Sequence, residues 1–182
     1  MPPLAVLGVS GSLRRESTNT RLLGLALDLA TVRGAQVTRA IIGDIPLFDE
    51  DLEQAGWPDE ARRFYEAVRS ADVVLVATPE YNYSVSGALK NAIDWASRDG
   101  NAWSTKVVAV MGVSGGSIGT ARAQLALRQI MVAVNAVVVP QPQVALGPAG
   151  QVFAPDGTLA DPAAARRLAT LVDNALAFVR RT

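Results

Sequence analysis

Three short segments of this chain concentrate the side chains that could do chemistry. The first runs over residues 8–20. It offers hydroxyls at Ser10, Ser12, Ser17, Thr18 and Thr20, an amide at Asn19, and guanidinium groups at Arg14 and Arg15, with Leu13 between Ser12 and Arg14. An apolar run of strand length precedes it and a segment of helical period follows. A helix N-terminus leaves backbone N–H groups without partners and carries a positive partial charge. Hydroxyl donors and an arginine added to such a terminus hold a phosphate monoester well. The Walker pattern is absent, because no lysine stands in the loop, and so is Gly-x-Gly-x-x-Gly. The loop therefore suits a mononucleotide phosphate, although by itself it reads equally as a capped helix behind a polar turn.

The second segment, Pro79, Glu80, Tyr81, Asn82, Tyr83, Ser84, Val85, Ser86 and Gly87, ends another buried strand. Two tyrosines beside an amide can frame a planar heterocycle, or they can simply cover a sheet end; Tyr81 is the expected ring neighbour. Lys90 and Asp94 behind it stand at i, i+4 and are expected to pair with each other. The third segment, residues 112–119, contains Gly112, Gly115, Gly116 and Gly119 with Ser114 between them. Glycines let a backbone approach a ligand closely. No acidic residue follows about twenty positions on, as a ribose partner would require, so this loop reads as a wall of the same site.

Composition narrows the classes of function. The chain has 182 residues, 49% hydrophobic and 19% charged, with 17 basic and 17 acidic side chains for a formal net charge of +0. That is enough for one well-buried domain, and it provides no basic field for nucleic acid. There is no histidine and no cysteine, which removes Ser-His-Asp triads, thiol nucleophiles and the usual zinc sites. Redox chemistry would have to come from a bound cofactor. The opening apolar run has no basic flank and is too short for a signal peptide or a membrane span. The expectation is a cytoplasmic protein with no membrane partner.

The elements that must position these loops follow from periodicity. Strands are expected at 4–9, 36–42, 72–78, 106–113 and 136–139, and helices at 19–33, 59–70, 87–97, 118–134 and from Pro162 onward behind an Asp161 N-cap. Gly34 is the stop signal of the first helix. The strands are apolar without alternation, so both faces should be covered. The fold class is α/β, with a doubly wound five-stranded parallel sheet. Ligands bind such sheets beyond the carboxyl ends of the strands, at the topological switch point, where the three loops should converge. Residues 140–162 form the longest irregular stretch, with a small hairpin expected around Ala154, Pro155, Asp156 and Gly157. Asp44, Asp49, Glu50, Asp51 and Glu53 read as a solvated acidic loop or as part of the rim or a dimer contact.

Together the loops resemble the NADPH-dependent FMN reductase family, which includes quinone, chromate and azo-dye reductases. The resemblance rests on Gly11-Ser12-x-Arg14-x-x-Ser17-x-Asn19, on Pro79-Glu80-Tyr81-Asn82 with Gly87-x-Leu89-Lys90-Asn91-Ala92-Ile93-Asp94-Trp95, and on the glycine-rich turn with Arg122, Ala123 and Gln124. Ser86 stands where the family often has proline. The resemblance implies a flavodoxin-like sheet of order 2-1-3-4-5 with helices on both faces. It implies FMN as cofactor and NADPH or NADH as co-substrate, with ping-pong hydride transfer to a small-molecule electron acceptor. Ser12, Arg14, Ser17 and Asn19 would hold the phosphate; Pro79, Glu80, Tyr81 and Asn82 would line the isoalloxazine; Ser114 and Gly115 would complete the site. It further implies a homodimer or homotetramer. A partner-docking flavodoxin-type electron carrier and a non-catalytic flavin sensor are the alternatives.

Overall fold

The computed structural model describes residues 2–179. Its sheet is parallel, with β1 (Ala5–Ser10), β2 (Gln36–Ala40), β3 (Val73–Ala77), β4 (Val107–Val113) and β5 (Val137–Val138) in the order β2-β1-β3-β4-β5. β3 and β4 are apolar at almost every position, and the pleat divides them between two cores. Val73, Leu75 and Ala77 point to one face with Val107, Ala109, Met111 and Val113; Val74, Val76, Val108 and Val110 point to the other. The first face is covered by α1 (Thr18–Val32) and α6 (Pro162–Val179), and the second by α3 (Asp59–Ser70), α4 (Gly87–Ala96) and α5 (Ala121–Ala133). Helices on both faces explain why these strands carry no polar alternation.

Local signals account for most of the boundaries. Ser17 caps α1 by accepting from Thr20 N at 3.2 Å, and Gly34, at φ +83°, ends that helix in the left-handed region that glycine alone enters freely. Asp161 accepts from Ala163 N at 2.8 Å and Ala164 N at 3.1 Å, with Pro162 opening α6. Lys90 and Asp94 do pair, at 2.7 Å.

Three expectations are corrected. The fifth sheet position is filled by two pieces, not one strand. β5 pairs with Val107 and Val108, and β6 (Val144–Leu146) pairs farther along β4 with Met111, Gly112 and Val113. Pro140 and Pro142 lie between the pieces and donate no ladder hydrogen bond, and three residues are too few for a periodic signal. The acidic stretch is partly helical: α2 (Glu50–Ala55) starts at an Asp49 cap that accepts from Asp51 N at 2.8 Å, and Glu53 bonds to Arg98 at 3.0 Å. The fourth expected helix starts late: expected from residue 118, α5 begins at Ala121, because Gly119 at φ +65° turns the chain first. The expected hairpin is present as an antiparallel bridge between Phe153 and Leu159.

Gly112 shows how tightly the functional end is assembled. A Cβ there would collide with the Thr78 carbonyl and the Thr120 hydroxyl, so the exit of β3 and the approach to α5 close on β4 only because this residue has no side chain. Among the described residues no helix is long and apolar enough to cross a membrane.

Candidate functional site

The chain runs from β1 outward to β2 and returns to β3 on the other side of β1, which places the switch point between the carboxyl ends of β1 and β3. The ladder continues past both strands: Gly11 N donates to Ala77 O at 2.8 Å, and Thr78 N donates to Met111 O at 2.9 Å. The loops after β1, β3 and β4 are thereby drawn to one place. They enclose a cleft of about 360 Å³, within the usual range for a small-molecule site.

Ten of the expected residues line this cleft. Ser12, Arg14, Ser17, Thr18 and Asn19 come from the first loop, Pro79, Glu80 and Tyr81 from the second, and Ser114 and Gly115 from the third. Four others do not. Ser10 and Thr20 share a hydrogen bond at 2.8 Å and brace the base of the loop. Leu13 is 61% exposed on the outside. Asn82 occupies a tight turn in which Tyr81 and Ser84 exchange two backbone bonds of 3.0 Å, with φ +49° at Asn82 and +67° at Tyr83. Asparagine suits that left-handed position. Val113, Ala149 and Gly150 also line the cleft. Residues 149–150 belong to a short 3₁₀ turn after β6, within the stretch that carries no pattern in the sequence.

Most polar groups in the cleft are already committed to building it. Asn19 is 3% exposed; its Nδ2 donates to Val113 O at 2.9 Å and its Oδ1 accepts from Val113 N at 2.8 Å. Ser86 caps α4 by accepting from Leu89 N at 3.2 Å and donates to Gly11 O at 2.5 Å. Serine therefore starts the helix and also ties it to the first loop, which proline could not do. Ser114 donates to Gly119 O at 2.5 Å. Asn91 and Trp95 of the second motif are farther back and grip the 45–48 segment: Asn91 Nδ2 donates to Pro46 O at 2.9 Å, Asn91 Oδ1 accepts from Phe48 N at 2.7 Å, and Trp95 Nε1 donates to Pro46 O at 2.8 Å.

Glu80 is the most heavily used of these residues. Its carboxylate accepts from Arg122 N at 3.0 Å, Ala123 N at 3.1 Å and Arg122 Nε at 2.7 Å. Thr120, at the N-cap position of α5, makes no side-chain cap, so Glu80 supplies the cap from another loop. Burial pushes its carboxyl up, but the Ala123 N–H and the Arg122 guanidinium and N–H outweigh burial and hold it below the usual carboxylate range. The Arg122 guanidinium also lies 3.9 Å over the Tyr83 ring, which clamps the left-handed turn.

Several donors of the cleft remain uncommitted among the described residues, including the hydroxyls of Thr18 and Tyr81. The N–H groups of Thr18 and Asn19 find no acceptor among the described residues, whereas Thr20 N and Arg21 N are bonded to Ser17. Arg14 forms no ion pair or hydrogen bond through its side chain among the described residues. Two free backbone donors at the start of a fifteen-residue helix, with one free guanidinium at the same cleft, are donors that could hold a phosphate group.

A doubly wound parallel sheet with such donors at its switch point is a flavodoxin-like mononucleotide-binding protein. The chain belongs to the NADPH-dependent FMN reductase family, whose model matches residues 4–151. It is 42% identical over 179 residues to an NAD(P)H-dependent FMN reductase of Pseudomonas aeruginosa, covering 98% of this chain and 96% of the relative. It is 39% identical over 185 residues to an NADPH:quinone oxidoreductase of Arabidopsis thaliana, covering 99% and 94%. Among solved structures it matches FerB, a flavoenzyme NAD(P)H:(acceptor) oxidoreductase of Paracoccus denitrificans, with TM-score 0.89 and 36% identity over 98% of both chains. The protein is thus an enzyme of the FMN and quinone reductase type.

Glu80→Gln should lower stability by roughly 1.5–3 kcal/mol at pH 7, the usual worth of hydrogen bonds to a charged group. A carboxyl lowered in the folded state contributes stability that is complete above its unfolded value of about 4.3 and is lost as pH falls through the folded value. Urea midpoints measured from pH 7 downward should therefore show wild type and variant converging in acid. A gap that stays constant would show that the charge of Glu80 does not anchor α5.

Proposed function

We propose that the cleft holds FMN, with its phosphate at the N-terminus of α1 and its ring system between the Pro79–Tyr81 side and the Gly115–Gly150 side. The chain then passes reducing equivalents from NADPH or NADH to a small acceptor in ping-pong order, the two substrates using one cleft in turn. The single observation that carries this reading is the unspent donor set: Thr18 N–H, Asn19 N–H and Arg14 at a switch-point cleft where the Asn19, Glu80 and Ser114 side chains are already hydrogen-bonded. Bound FMN would supply the redox chemistry, taking hydride from the nicotinamide nucleotide and giving electrons to the acceptor. Arg14 and the helix terminus would hold the phosphate. Tyr81 would cover one side of the ring. Glu80 acts at one remove, by fixing the turn that carries Tyr81 against α5. A quinone is the acceptor best supported by the relatives; chromate, azo compounds and free flavin follow as further small acceptors.

The purified protein with FMN should oxidise NADPH or NADH in the presence of a small quinone. Flavin binding without turnover on either nucleotide would favour an electron carrier or sensor instead. Arg14→Ala should weaken FMN by roughly 1.5–3 kcal/mol, tenfold or more in Kd, and leave riboflavin, which lacks the phosphate, nearly unchanged. Equal loss for both ligands in a fluorescence titration would remove the phosphate from Arg14.

The same reading includes assembly of at least two copies. Leu125 and Val132, seven positions apart on α5, are 62% and 74% exposed, and Ile118 just ahead of the helix is 57% exposed. Residues two turns apart share a helix face, and this one continues through Arg122 and Tyr83 to Tyr81 at the cleft mouth. Apolar side chains gathered on one exposed face mark a candidate association surface. Light scattering should give a dimer or tetramer, and Leu125→Asp should shift it toward the monomer. A monomeric wild type at micromolar concentration would refute this assignment.

A further inference from the structure

The first loop faces two clefts. Ser17 and Thr18 line the one described above, and they also line a second, of about 640 Å³, that runs along the outer side of α1. Arg15, Arg21 and Arg39 border this groove, Arg39 reaching across from β2 to lie against Gly24. Among the described residues, Arg33, Arg62, Arg63, Arg69, Arg98, Arg122 and Arg167 are ion-paired, whereas Arg15, Arg21 and Arg39, like Arg14, Arg128 and Arg166, have no carboxylate within ion-pairing distance; Asp156 lies near enough to Arg21 to feel its charge. What distinguishes Arg15, Arg21 and Arg39 is that all three border one groove. Arg21 is held in place by the Phe153 ring, 4.5 Å from its guanidinium carbon.

The groove then changes character. It shares Leu25 and Asp28 with an apolar crevice of about 270 Å³ between α1 and α6, where Leu29, Val32, Leu159 and Leu168 form the walls. From the first loop outward, the order is therefore three arginines with Glu16 among them, then a carboxylate at Asp28, then apolar surface. Thr18 and Leu25 are seven residues apart, about 10 Å along the helix, roughly the span of one nucleoside monophosphate.

We infer that this groove is an adenylate subsite, so that the flavin cleft also accepts FAD, with the second phosphate at Arg15 and Arg39 and the adenosine laid along α1 toward Leu25 and Asp28. The inference rests on the assignment of the FMN phosphate to the α1 terminus, where Ser17 and Thr18 line both clefts. The cations would take its charge, Asp28 would accept from a ribose hydroxyl or the adenine amine, and the apolar crevice would cover the purine face.

The test is competitive loading. The purified protein is equilibrated with mixtures of FMN and FAD, freed of unbound flavin, and the retained flavins are released and separated. FAD should be retained alongside FMN. Arg39→Glu should lower the retained FAD:FMN ratio about tenfold, the equivalent of one lost charge-assisted hydrogen bond, and leave FMN retention unchanged; Arg15→Glu should act in the same direction. Retention of FMN with no FAD overturns the subsite alone. Retention of neither flavin overturns the FMN reading as well. An unchanged ratio in both variants refutes the groove assignment. If Arg39→Glu instead raises the KM for NADPH but not for NADH, with the ratio unaltered, the groove belongs to a nicotinamide nucleotide's 2′-phosphate and the FAD assignment is wrong.

Discussion

The site depends on the buried amide of Asn19. One side chain satisfies both backbone groups of Val113, at 2.9 and 2.8 Å, and so behaves as one more peptide unit at the end of β4. Its effect is to dock the first turn of α1 against the sheet and to fix where that helix begins. Thr18 N–H and Asn19 N–H are free because the chain starts its helix there, and they stay at the cleft because Asn19 cannot leave Val113 without stranding two buried backbone groups. A buried polar group that loses its partner costs more than a hydrogen bond normally contributes, so the tie resists the pull of any ligand at the terminus. A phosphate bound there, as proposed, would meet donors already fixed by the frame and would require little further ordering.

Division of labour among the motif residues follows from that frame. Ser86 fastens α4 to Gly11, Glu80 caps α5 from a different loop, and Asn91 and Trp95 grip the 45–48 segment. Each joins elements distant in sequence. The motif residues most characteristic of the family are thus largely occupied with holding three loops in register. In the proposed reading, direct contact with the ligand would fall to backbone N–H groups, Arg14, Pro79, Tyr81 and glycine-bearing turns. Asn19 would serve in both ways: its side chain builds the cleft, while its backbone N–H has no acceptor among the described residues.

The sequence made the sheet legible because β1, β3 and β4 are long apolar runs and the helices between them have sharp termini: Ser17, Gly34, Ser86 and Asp161 are all visible caps or stops. The convergence of three loops was legible for the same reason, since strand order at a switch point dictates it. What was not legible lies where the signal is short or three-dimensional. β6 spans three residues, α2 six, and the wall at Ala149 and Gly150 is a single 3₁₀ turn. Hydroxyl-rich composition pointed to Ser10 and Thr20 as ligand groups, yet they bond each other; no one-dimensional pattern distinguishes a donor facing a cleft from one facing its neighbour. The pairing of Glu80 with the N-terminus of α5 joins positions more than forty residues apart and leaves no mark on either segment alone.

The ionisable lining of the cleft carries the last step of this argument. It consists of Arg14, Glu80 and Tyr81. Arginine stays charged throughout the physiological range, and Glu80 is held as a carboxylate with its acceptor capacity directed to α5 and Arg122. Neither is suited to exchange a proton with a substrate near neutral pH. In the reading proposed above, these residues would contribute charge, orientation and enclosure, and discrimination between acceptors would fall to the shape of the cleft, of which Tyr81 forms a wall. Arg122 of α5 lies over the ring of Tyr83, two residues farther on, so the face proposed for a second copy of the chain would begin beside the surface that selects acceptors.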